Sequence, residues 1–92
     1  MTISYFDQTN TDIQITSVAF RGNGENGHFE SFPRRMLMDG REYNFAESGM
    51  RYLVRKGQEL VKLFDVSDGQ TQYRLRQDSN NRWTLVGMKG NL

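Results

Sequence analysis

The sequence predicts an α+β domain: a twisted antiparallel sheet of five to six strands packing one helix, in the order strand, strand, strand, helix, strand, strand, strand. Three observations carry this expectation. Asp39-Gly40, Asp68-Gly69 and Asn80-Asn81 are hairpin-type turn signals, because Asp, Asn and Gly tolerate the positive φ angles of tight turns. The segments flanking these turns are rich in aromatic and branched residues that alternate with polar ones. One stretch alone, residues 46–56, spaces its apolar side chains as a helix does. A small β-barrel capped by that helix is the alternative arrangement.

Taken in order, residues 1–11 read as a loosely ordered N-terminal segment, and residues 12–92 as a single domain. Residues 13–20 form the first strand. Ile13 and Ile15 share one face and Val18 and Phe20 the other, a phase change that predicts a bulge near Thr16-Ser17. Residues 22–27, rich in Gly and Asn, read as a hairpin tip. Pro33 then calls for extended chain. Residues 34–38 and 41–45 form the clearest hairpin, with Tyr43 and Phe45 inward.

In the predicted helix, centred on residues 47–56, Ala46, Met50, Leu53 and Val54 fall on one stripe. Glu47 sits at the positive end of the helix dipole and Arg55 and Lys56 at the negative end. Gly57 stands where a left-handed C-cap belongs. Residues 60–66 are nearly continuous in apolar character and read as a central strand beneath the helix. In residues 72–76, Tyr73 and Leu75 point inward and Arg74 and Arg76 outward. In residues 83–88, Trp83 and Leu85 point one way and Thr84, Val86 and Met88 the other.

Composition narrows the chemistry. The chain has 92 residues and no cysteine, which removes disulfides, thiolate metal sites and thiol nucleophiles. No apolar run approaches the ~20 residues of a membrane helix. The first residues lack a basic-then-apolar leader pattern, so a cytoplasmic protein is expected. Charge is unevenly spread: residues 1–30 set one base against four acids, and residues 31–92 set eleven bases against seven acids.

No catalytic residue, cofactor site or metal site emerges. The glycine-rich loop lacks the helix start that a phosphate cradle needs. His28 has no orienting partner at a useful spacing. Asp65, Asp68 and Asp78 lack the pattern of a calcium loop, and Asp65 and Asp68 read as turn residues.

Two surfaces remain as binding candidates. An apolar surplus on both faces of the last strand makes Val86 and Met88 a candidate partner surface, because one helix cannot cover both faces of a sheet. Arg41, Arg74, Arg76 and Arg82 form a candidate nucleic-acid surface. Gly40-Arg41-Glu42-Tyr43, Tyr73-Arg74-Leu75 and Trp83-Thr84-Leu85 resemble the Gly-Arg-x-Tyr, Tyr-x-Leu and Trp-x-Leu strand motifs of small uncharacterised bacterial domains, best represented in actinobacteria. That resemblance implies no activity and no site residue. The expected function is a non-catalytic interaction module that binds a protein partner or itself, with weak RNA or single-stranded DNA binding as the alternative.

Overall fold

A computed structural model describes residues 7–22 and 30–90, and all the regular structure there is strand. The strands are β1 (Asp7–Arg21), β2 (Glu30–Met38), β3 (Arg41–Asn44), β4 (Glu47–Lys56), β5 (Glu59–Ser67), β6 (Thr71–Gln77) and β7 (Trp83–Gly90). They form one antiparallel sheet in the order β3-β2-β1-β7-β6-β5-β4. The α+β expectation is therefore corrected: the predicted helix at 47–56 is strand β4, and neither the helix-packed sheet nor the helix-capped barrel describes the molecule.

The reason lies in side-chain pattern. The stripe of Ala46, Met50, Leu53 and Val54 fits a helical period, but Tyr52, Val54 and Lys56 also alternate with Arg51, Leu53 and Arg55 at a strand period. Gly49, Tyr52 and Val54 favour a helix weakly. Gly57 does take positive φ, at 63°, but as the first residue of the two-residue hairpin that joins Lys56 to Glu59 rather than as a helix cap.

The turn signals are borne out. Asp39 and Gly40 have φ of 51° and 77°, the positive pair that a type I′ hairpin requires between Met38 and Arg41. Asp68 accepts hydrogen bonds through Oδ1 from the backbone N–H groups of Gln70 and Thr71, both at 2.8 Å. Asp78 does the same for Asn80 and Arg82, both at 3.0 Å. Such aspartates satisfy backbone donors that the ladder leaves unpaired. Asp65, by contrast, is no turn residue: it lies within β5, opposite Arg74 of β6.

β1 belongs to both halves of the sheet. Its first part, from Asp7 to Ile13, pairs with β7, and its second, from Gln14 to Arg21, pairs with β2. Residues 7–11, read from sequence as a loose lead-in, are thus strand. The bulge expected near Thr16-Ser17 is present as register shifts on both sides of Ser17. It does not carry Val18 or Phe20 inward, and Phe20 stays 69% exposed. The expected glycine-rich hairpin tip and His28 lie outside the described residues, apart from Gly22.

The sheet rolls until its two ends meet at a corner. Phe45 N–H donates to Arg34 O and Ala46 N–H to Ser67 O, both at 2.8 Å, so the run from β3 into β4 ties β2 to β5. The roll brings the inner faces together. Phe32 meets Phe64 edge to face with centroids 6.0 Å apart, and Tyr73 contacts both Tyr43 and Phe45. Phe64, Met36, Leu75 and Leu85 are the largest fully buried side chains.

Leu75→Ala should lower the unfolding free energy by about 2–5 kcal/mol, the cost of a buried leucine cavity. Phe20→Ala should change it by under about 0.5 kcal/mol, as an exposed substitution does. Urea unfolding of the two variants measures both.

Candidate interaction surface

The partner surface expected on the last strand dissolves in the bulge of β7. Arg74 opposes Gly87 whereas Leu75 opposes Leu85, so Val86 is an extra residue without a partner on β6. An extra residue inverts the alternation beyond it. Met88, opposite Tyr73, therefore returns to the inner face and packs against the core. Val86 and Met88 do not share a second apolar face.

The arginines do not make one surface either. Arg74 and Arg76 do share the outer face of β6. Arg74 holds Asp65 with both arms, Nε at 2.8 Å and a terminal nitrogen at 3.1 Å. Tyr52 donates its hydroxyl to the same carboxylate at 3.2 Å, and the Arg74 guanidinium lies 5.7 Å from the Tyr52 ring centre. Arg82, in the turn after β6, pairs with Asp12 at 3.0 Å. Arg41 begins β3 opposite Met38, on the face that Met38 turns to the core, whereas Arg74 and Arg76 lie on the outer face.

What the structure does gather is apolar surface on the β4–β5 hairpin. Met50 and Leu53 are each 61% exposed, Leu60 46% and Val54 39%. The exposure of Leu53, Val54 and Leu60 follows from strand lengths. The row Leu53, Lys62, Gln77, Trp83, Ile13 is the last one that β4, β5, β6, β7 and β1 share. Past it, β4 and β5 continue without β6 and β7 through the pairs Val54–Val61, Arg55–Leu60 and Lys56–Glu59. Leu53 and Leu60 then lie diagonally on the face that elsewhere holds Phe64, with no described strand opposite to cover them. The sequence signal was available: a glycine-led two-residue turn between Lys56 and Glu59 marks a hairpin.

β4 is also the last strand of the sheet, and among the described residues its ladder partner is β5 alone. A bulge interrupts it, since Gly49 and Met50 together oppose Asp65. A Cβ on Gly49 would come 3.1 Å from Asp65 O, so a side chain there would crowd the β5 backbone. A shallow cavity of about 240 Å³ opens beside the bulge, lined by Glu47, Met50, Asp65, Ser67 and Gln72.

On the inner face of β4, Arg51 bends back. Its guanidinium pairs with Glu30 at 3.7 Å and lies 5.9 Å from the Phe64 ring centre. Its Nε is buried with no hydrogen-bond partner among the described residues.

No three His, Cys, Asp or Glu side chains among the described residues are grouped to hold a metal ion. No helix there is long and apolar enough to cross a membrane. Compared with protein-family models, with curated proteins and with solved structures, the chain matches none.

Two titrations report on the β5–β6 turn. The Asp68 carboxyl is held below the usual carboxylate range, chiefly by the N–H groups of Gln70 and Thr71. Its contribution is present above the unfolded value of ~3.9 and is lost as pH falls through the lower folded value. Burial, aided by the hydrogen bond to Asp68, pushes the Tyr73 phenol up to about 12. The fold thus favours the neutral phenol, a contribution intact below the unfolded value of ~10 and lost as pH rises through the folded one.

In an ultraviolet titration, the Tyr73 phenol should ionise late, well above the ordinary tyrosine value of ~10. Tyr73→Phe should remove the late step. A double-mutant cycle on Asp65→Asn and Arg74→Gln should return a coupling of roughly 1 kcal/mol in urea unfolding, because the bidentate pair is partly shielded from water.

Proposed function

We propose that this domain is a non-catalytic protein-interaction module whose docking surface is the β4–β5 hairpin. One observation carries the reading: Met50, Leu53, Val54 and Leu60, four of the six large apolar side chains left exposed among the described residues, lie on that hairpin. Singly exposed apolar side chains are ordinary, but four gathered on one hairpin, Met50 and Val54 on its outer face and Leu53 and Leu60 on its inner face, are a mark of association. The use made of the carboxylates supports the non-catalytic part. Asp68 and Asp78 hold turns, Asp65 holds Arg74 and Tyr52, and Asp12 holds Arg82. Each is occupied by a neighbour.

The test is a photo-reactive phenylalanine analogue at position 60, with the same analogue at Asn44 on β3 as the control. Irradiated in cells of the native host, the protein labelled at 60 should yield cross-linked species, to itself or to another protein, that the control lacks. Equal labelling from both positions, or none from position 60, would overturn the reading.

A further inference from the structure

We propose that the partner of this surface is a second copy of the chain, joined antiparallel along the edge of β4 that no described strand pairs with, and with Tyr52 on the two-fold axis. This rests on the reading of the β4–β5 hairpin as the docking surface and names its occupant. β4 is ten residues long and ends the sheet, so its outward backbone groups offer a template for one more strand. The device that commonly guards such an edge is a charged side chain pointing across it. Arg51 is the charge nearest the middle of β4, and it is drawn back onto Glu30 and Phe64 instead.

The register follows from symmetry and charge. A two-fold axis normal to the sheet keeps each face on its own side, so directly opposed residues must come from the same face of β4. The axis therefore passes through a residue. Through Arg51 it would set that arginine against its own copy. Through Leu53 it would set Arg51 against Arg55 on the same face, and like charges directly opposed destabilise a sheet.

Through Tyr52 neither clash occurs. Met50 of each copy then faces Val54 of the other on the outer face, and Leu53 faces Arg51 on the inner one. The bulge at Gly49-Met50 counts as one position of the ladder, which brings Glu47 of each copy opposite Lys56 of the other. The pairing therefore covers the three exposed apolar residues of β4 and matches its acidic start to its basic end, twice by symmetry. Of the three registers centred on the middle of β4, this one alone opposes no like charges.

The chain contains no cysteine, so a single introduced one reports cleanly. Opposed Cα atoms in an antiparallel pair lie ~4.5–5.5 Å apart, within disulfide range. Under mild oxidation Tyr52→Cys should form a covalent dimer, and Lys56→Cys alone should not. A mixture of Glu47→Cys and Lys56→Cys proteins should yield the mixed disulfide. In light scattering over a dilution series, the wild-type protein should be a dimer that persists in high salt. Met50→Lys should weaken association at least tenfold while leaving the melting temperature of the subunit unchanged.

A wild-type protein that stays monomeric at every concentration overturns the proposal. So does a dimer in which Lys56→Cys links to itself, or in which Tyr52→Cys does not link although circular dichroism shows it folded. If the pure protein is monomeric but position 60 still cross-links to a different protein in cells, self-pairing fails and the interaction reading stands. If position 60 captures nothing, both fail.

Discussion

The structure depends on two consecutive peptide groups that serve different strands. Phe45 gives its N–H to β2 and Ala46 gives its N–H to β5, so one bend anchors both ends of the sheet to each other. A flat seven-stranded sheet of this size would have one face without cover, because the described chain offers no helix and no second sheet to pack on it. Rolling solves this by letting the sheet pack against itself. The ring contacts between β2 and β5, and between β3 and β6, exist because the corner sets those strands face to face. The burial of Phe45 itself, 3% exposed, fastens the bend to the core that it creates.

The same economy explains the exposed hairpin. A rolled sheet covers only those rows to which several strands contribute. β4 and β5 outrun the ends of β6 and β7, and their apolar residues emerge where the opposing wall has stopped. The outer face of β4 is held separately. Tyr52 and Arg74 converge on Asp65, and the bulge at Gly49 fits closely against the Asp65 carbonyl. That network stiffens the strand from its outer side while Arg51 pins it from the inner one.

Much of this was legible in the sequence, and what was not has identifiable causes. Asp39-Gly40 announced its hairpin because both residues must take positive φ and few others do so cheaply. The irregularity near Ser17 could be read because the apolar phase breaks there. The misreading of residues 46–56 arose because a spacing of i, i+4, i+7, i+8 also contains strand-compatible positions. On an edge strand, exposed on both faces, the period-two signal is at its weakest. The bulge at Val86 was invisible for a related reason: an inserted residue in a strand mimics apolar character on two faces, so a core methionine passed for a surface one. For the candidate site, the sequence showed which residues were charged or apolar. It could not show that Asp12 and Arg82, seventy positions apart, meet, or that β5 outlasts β6.

The ends of the sheet order also say something about how the chain reaches this state. Every ladder but one joins strands that follow each other along the chain, and local hairpins of that kind close quickly. The exception is β1 with β7, where Asp7 opposes Met88. That pairing spans nearly the whole polymer, so its loop-closure entropy falls due only after the intervening strands have shortened the gap. Assembly would then run as a progressive curl from the hairpins outward, with the first part of β1 joining last. The flanks left waiting for that step are the outer edge of β7 and the first part of β1, so in a nascent protein that part of β1 stays without its ladder until β7, the last of the seven strands, emerges.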